Sequence, residues 1–215
     1  MISLVTITDG TKLDYLERCI KSARSVISEV VLVYQGTDKQ TAIRLGALSD
    51  FLYIATPKGN ADPDRNFAYH LAQGDWVLAL DDDEWLPEET QKYIARIVYS
   101  PVDVVWFEFT NLVDGVEIQE ILGSDPHPRL WRRRDGLIMW PDKAHTFPQI
   151  SSLNQIFTHK KVIHDRSWPD ILTRHRQRRQ VVDEQNRNVE LQFVQAVQRK
   201  LQLQFPNEPK YKENL

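Results

Sequence analysis

A single cysteine in 215 residues, Cys19, excludes an internal disulfide and a cysteine-built zinc site within one chain. No apolar run reaches the roughly 18 residues that a membrane helix requires, so no spanning segment is expected. The opening Met1-Ile2-Ser3-Leu4-Val5-Thr6-Ile7 lacks a basic start and a small-residue cleavage site, and reads as a strand rather than a leader peptide. With the lone cysteine this favours a cytoplasmic protein. Internal repeats and low-complexity stretches are absent. The formal net charge of -3 argues against bulk attraction to nucleic acid, and no nucleic-acid motif is present.

What is present is an ordinary globular balance, 41% hydrophobic and 27% charged residues, enough for one domain with a substantial core. Residues 2–7 are apolar and β-branched. Residues 13–26 carry Leu13, Leu16, Ile20 and Ala23 on one helical face, and Cys19 among them reads as a buried, inert thiol. The run Val30-Val31-Leu32-Val33-Tyr34 suits a strand buried on both faces. A helix over 41–48, a strand over 51–54, a helix over 65–73 closed by Gly74 and a strand over 76–80 complete the front half. Such repeated units imply a parallel α/β sheet. Beyond Pro101 the pattern predicts strands at 104–109 and 128–132, a turn-rich loop at 123–126, a helix over 169–200 and a tail from 205. The basic runs 132–134 and 174–179 read as solvated faces or as sites for phosphate or acidic lipid.

The strand at 76–80 runs straight into Asp81-Asp82-Asp83-Glu84. Ligands of open α/β sheets bind beyond the carboxyl ends of the strands. In an extended segment alternate residues share a side, so Asp81 and Asp83 can converge on one ion. Adjacent acids repel, which a bound cation relieves, and hard oxygen ligands suit Mg²⁺ or Mn²⁺ bridging a diphosphate. Glu84, Pro87, Glu88 and Glu89 also suit a helix N-terminus.

With these motifs the chain resembles glycosyltransferase family 2, in particular small bacterial lipopolysaccharide-core-type transferases. The resemblance is carried by 2–8 with 15–22, by 31–38, by Asp64-Arg65-Asn66-Phe67-Ala68, and by Gly74-Asp75-Trp76-Val77 leading into the acids. It continues through Pro128-Arg129-Leu130-Trp131-Arg132-Arg133, Ala144-His145 and Val162-Ile163-His164. It implies a GT-A fold: Rossmann-like α/β, a mixed, mainly parallel sheet flanked by helices, here with a C-terminal helical extension. A single domain over 1–215 would comprise a nucleotide-sugar-binding half (1–100), an acceptor-side half (101–168) and a C-terminal helix and tail (169–215).

The resemblance further implies a metal-dependent, inverting transfer of a hexose from a nucleoside-diphosphate sugar, UDP favoured, in cell-surface polysaccharide biosynthesis. The acceptor would be a glycan, a lipid-linked saccharide or another hydroxyl. Asp81 would contact donor ribose or metal, Asp83 would be the principal ligand of Mn²⁺ or Mg²⁺, and His164 a further metal or diphosphate contact. Asp82 belongs to the same donor cluster. Arg65 would neutralise phosphate or orient the acids, and Thr6 and Asp9 lie where nucleobase contacts are usual. Many relatives carry an aspartate at the end of the second strand. This chain has Tyr34 and Gln35 there, with Tyr34 able to stack. Thr146 replaces the glutamate that follows the matching histidine in close relatives. The general base is then Asp142, adjacent to a cation and so ionised, or His145; Asp125 lies in the same segment. Trp131, Trp140 and Trp168 are candidates to stack on sugar rings, whereas Trp76, Trp85 and Trp106 read as packing residues. The basic C-terminal helix could touch an anionic membrane from the cytoplasmic side. The rival reading is a degenerate GT-A protein that binds nucleotide or glycan without turnover.

Overall fold

The computed structural model describes residues 1–57, 62–122, 126–141, 147–178 and 184–212. They form two compact units, one of 1–108 with 126–162 and the other of 109–125 with 163–215.

The first unit opens with β1 (Ile2–Thr8), α1 (Leu13–Ala23), β2 (Glu29–Tyr34), α2 (Lys39–Leu48), β3 (Phe51–Ile54), α3 (Asp62–Leu71) and β4 (Trp76–Ala79). A short β5 (Glu84–Trp85) and α4 (Glu88–Ile97) follow. Further along the chain come β6 (Val104–Val113), then β7 (Val116–Glu117) and α5 (Gln119–Leu122), which belong to the second unit, and β8 (His127–Arg132), β9 (Ile138–Met139), β10 (Gln149–Ile150) and β11 (Gln155–Arg166). The main sheet runs β3-β2-β1-β4-β8-β6-β11-β5, with β7 on β6; β9 and β10 form a small ladder. The pairs β1–β2, β2–β3 and β1–β4 are parallel, while β8 is antiparallel to both β4 and β6. The front half is thus the parallel α/β sheet that its strand–helix alternation predicts.

β1 is buried along its whole length, as a strand covered on both faces must be. On α1, Leu16, Cys19, Ile20 and Ala23 are buried at helical spacing. One face of the sheet gathers Val5, Val31, Val33, Val77, Ala79, Val104 and Trp131 against Ala68 and Tyr69 of α3, with Trp140 alongside. α3 ends at Leu71, so Gly74 is not its cap. A Cβ on Gly74 would stand 2.7 Å from Ser3 Oγ and 2.8 Å from the Ser3 backbone nitrogen. Gly74 is therefore a close-approach residue that lets the chain enter β4 against β1. Arg132 donates to the Ser100 and Val102 carbonyls, Arg133 to the Gly74 carbonyl, and Arg134 pairs with Asp103 at 3.0 Å. Arg132 is in register with Trp76 at the start of β4, so this basic run straps the sheet at the end away from the acids.

The second unit contains α6 (Trp168–Arg178) and α7 (Glu184–Gln204), where one helix over 169–200 is expected; residues 179–183 lie outside the described ones. Trp168, Ile171, Val194, Val197, Leu201 and Tyr211 form its core. The expected tail instead carries a 3-10 turn at Pro209–Tyr211, and Tyr211 is 1% exposed. Asp114, in the left-handed region at φ 48°, holds that turn: it accepts from the Tyr211 hydroxyl at 2.6 Å and from Lys210 Nζ at 3.0 Å. The Trp168 indole donates to the Lys210 carbonyl at 3.0 Å. No helix among the described residues is long and apolar enough to cross a membrane.

Candidate active site at the carboxyl end of β4

β4 lies between β1 and β8, so the chain leaving Ala79 emerges at the centre of the sheet's carboxyl edge. The segment is not extended there. The Glu84 amide donates to the Asp81 carbonyl at 3.0 Å, and the Asp81 amide to Glu84 Oε2 at 3.1 Å, folding 81–84 into a turn. The alternation from which Asp81 and Asp83 would share a side therefore does not operate. Each acid is held separately, with Arg129 shared between Asp81 and Glu84.

Asp81 is gripped through both oxygens. Arg65 of α3 reaches Oδ1 at 3.0 Å and Arg129 of β8 reaches Oδ2 at 3.4 Å. Arg65 also lies over the Trp140 ring, 4.7 Å from its centroid, so the indole holds the guanidinium over the acid. Asp82 accepts from the Thr8 hydroxyl at 2.7 Å, and that hydroxyl in turn accepts from the Gly10 amide at 3.0 Å. Asp83, 3% exposed, pairs with Lys12 Nζ at 3.2 Å. Glu84, 1% exposed, takes a two-pronged grip from Arg129, at 2.8 Å from Nε and 2.5 Å from Nη2.

Four carboxylates thus face three cations, and the surplus has an electrostatic cost. Burial, with the neighbouring Asp83 charge, pushes the Asp82 carboxyl up to about 7, against the lowering bond from Thr8. Burial and Glu84 push the Cys19 thiol up as well, consistent with an inert core cysteine. The donor set is all oxygen and negative in excess, which fits a hard divalent cation. Among the described residues no three His, Cys, Asp or Glu side chains gather around one point, and the chain's own cations face the acids in this conformation.

The remaining expected positions are spread out. Thr6 is 1% exposed inside the core beside Cys19, and Thr8 is the residue of that strand that reaches the acids. Asp9 is exposed and accepts from the Thr11 amide at 2.9 Å, closing the loop after β1. Tyr34 is 2% exposed: a Cβ on Gly36 would fall 2.3 Å from its ring, and its hydroxyl accepts from the Asp38 amide at 3.2 Å. Beside it Gln35 donates to Asp64 at 2.6 Å. His164 belongs to the second unit, where Arg166 Nε donates to its Nε2 at 2.9 Å and Phe109 meets it edge-on. Asp142 and His145 lie outside the described residues, as do Asp125 and Thr146. Trp131, Trp140 and Trp168 are 3%, 7% and 1% exposed, too enclosed to offer a ring face to a sugar.

Sequence reasoning missed Arg129, Lys12 and Thr8 as partners of the acids. Arg129 stands inside a recognised strand motif, and an arginine flanked by apolar residues on that strand was the available signal, because a buried charge requires a buried partner.

A central parallel sheet flanked by helices, antiparallel strands beyond β4, and an acid turn at the switch point between them define a GT-A-type α/β fold. The chain belongs to glycosyl transferase family 2, whose sequence profile matches residues 3–149. Among solved structures it is similar to S. aureus TarS 1–349 in complex with UDP, at 24% identity and TM-score 0.43, covering 52% of this chain and 36% of that one. It is also similar to the UDP-GlcNAc complex, at 25% identity and TM-score 0.43, with 52% and 35% covered. For the longer TarS structure the values are 23% and 0.47, with 61% and 28% covered. The chain therefore spans about a third of the length of these solved chains. No curated protein matches it.

Proposed function

We propose that this chain is a metal-dependent, inverting glycosyltransferase that moves a hexose from a nucleoside-diphosphate sugar, UDP favoured, to a hydroxyl of a glycan or lipid-linked acceptor. The observation that carries the reading is the turn of four acids at the carboxyl end of β4, held by Arg65, Arg129 and Lys12. Family membership supports the reaction class.

Asp81 and Asp83 would hold Mn²⁺ or Mg²⁺. When bound, the ion stabilises the negative charge developing on the leaving diphosphate. The chain's own contribution is preorganisation. Arg129 locks Glu84 and Asp81, so the turn keeps its shape as the charge changes. Arg65, paired with Asp81 and lying over Trp140, would neutralise a phosphate oxygen as well as Asp81. Lys12 would release Asp83 to the ion and turn to the diphosphate. Asp142, with His145 as the alternative, is the proposed base that takes the proton from the acceptor hydroxyl. Contact of the basic C-terminal helix with an anionic membrane belongs to the same proposal, and salt-sensitive binding to anionic vesicles reads it.

Calorimetric titration of UDP, with Mn²⁺, with chelator and on Asp83→Ala, tests the donor site. Metal-dependent binding that Asp83→Ala removes is expected. Silence with UDP, GDP, CDP and dTDP alike would overturn it. Nucleotide binding without release of nucleotide from any offered sugar donor would assign the degenerate reading instead.

A further inference from the structure

On the antiparallel side of the first unit two exposed rings, Phe157 and Phe147, flank the half-buried Trp106. Trp106 of β6 and Phe157 of the neighbouring β11 stack with centroids 5.0 Å apart and planes 18° apart. Phe147 lies 6.5 Å from Trp106 at 32°, and itself stacks on His127 at 5.4 Å and 19°. Phe157 is 64% exposed and Phe147 53%. The opposite face of the sheet is closed here, since Phe107 is fully buried edge-on against Tyr93 of α4. Flat aromatic rings left to water in a row mark a binding surface.

The strip is built as well as exposed. The Trp106 indole donates to Gln155 Oε1 at 2.8 Å, and Gln155 is anchored through its own donor bond to the Ser152 carbonyl at 2.6 Å. Trp106 also packs on the edge of the core cluster that contains Trp140 and α3. Its indole is therefore fixed before any ligand arrives. At the other end of the strip, Glu108 and the almost fully exposed His159 pair at 2.7 Å across the same two strands. Register sets Trp106 level with the start of the acid turn, one strand (β8) away from β4. Leu78 of β4 is opposite Leu130, two residues before Leu80 leads into Asp81, and Pro128, two residues before Leu130, is opposite Trp106.

We propose that the strip of Trp106, Phe157 and Phe147, bordered by Glu108 and His159, seats a saccharide ring of the acceptor; this rests on the transferase reading above. A pyranose has a C–H face whose partly positive hydrogens match the negative face of an aromatic ring, and a rim of hydroxyls. The strip offers both halves of that chemistry, the exposed aromatic surface of Phe157 and Phe147 around Trp106 and a carboxylate–imidazole pair at the border. An acyl or isoprenoid chain uses only the rings, and covering Glu108 with it would bury a charge without a new partner.

Saturation-transfer NMR with lactose, maltose, cellobiose and N,N′-diacetylchitobiose tests the proposal, alongside the UDP titration on the unaltered protein. Transfer to the C–H protons of one ring face is expected. Phe157→Ala, a surface change checked by circular dichroism, should weaken it about threefold to tenfold, and Phe157→Tyr should restore it. If UDP binds and none of the four disaccharides shows transfer, the strip is not a saccharide seat while the transferase reading stands. Transfer unchanged in Phe157→Ala places the sugar elsewhere and overturns the proposal, as does transfer to dodecyl maltoside confined to its alkyl protons. Sugar transfer lost in Phe157→Ala without any nucleotide binding keeps the strip and overturns the donor site.

Discussion

Arg129→Met isolates the buried pair beneath the acid turn. Arg129 and Glu84 have side chains 6% and 1% exposed, and the guanidinium grips both Glu84 oxygens while also reaching Asp81. Removing it leaves Glu84 as a buried carboxylate with no cation, which costs about 3–5 kcal/mol. That is a large part of the roughly 5–15 kcal/mol that holds a domain together. Native-state hydrogen exchange is the assay, because amides of fully buried strands such as β1 and β4 exchange through cooperative opening. Their exchange should accelerate roughly 10²- to 10⁴-fold, with the thermal transition falling by about 6–20 °C. Arg129→Met with Glu84→Met replaces the ion pair by apolar volume, and should recover most of the loss, to within about 2 kcal/mol of the parent. Acceleration below about fivefold in the single variant, or no recovery in the double, would refute the claim that an uncompensated carboxylate is the cause.

Gly74→Ala should destabilise the first unit by about 1–3 kcal/mol in urea, because the added Cβ meets backbone at Ser3 as well as a side chain; an unchanged midpoint would show that the chain entering β4 yields freely. Asp82 is raised to about 7 from 3.8, so in chelator the folded state holds a proton that the unfolded state has released between about pH 4 and 7. Stability then falls as pH rises through that window, and Asp82→Asn should gain on the parent at pH 8 and lose that advantage at pH 4; parallel profiles would remove Asp82 as the source. In the second unit, Tyr211→Phe should expose Trp168 to faster quenching and weaken the C-terminal turn by about 1 kcal/mol, and Asp114→Asn, which tolerates the left-handed backbone, should do less harm than Asp114→Ala. Mn²⁺ removal and Asp83→Ala should act alike on UDP binding, as set out for the donor site.

The parallel front half was legible because its signals are local. A continuous apolar run for β2, an apolar stripe for α1 and acids directly after β4 lie within a few residues of one another, and short-range periodicity carries each. The pairing of these acids was not legible. Arg129 is 45 positions from Glu84, and only the antiparallel register of β8 on β4 brings it there. β11 escaped notice except at 162–164, since a twelve-residue strand with only Val162 and Asp165 buried has no hydrophobic alternation to read. The tryptophans show the same division. Composition counts them, yet Trp131, Trp140 and Trp168 went into the cores and Trp106, read as packing, was left half open beside Phe157. Sequence alone therefore determined the strand–helix order and the place of the acids along the chain. Tertiary structure decided which charge faces which and which rings meet water, because register and layer packing join residues that no local pattern connects.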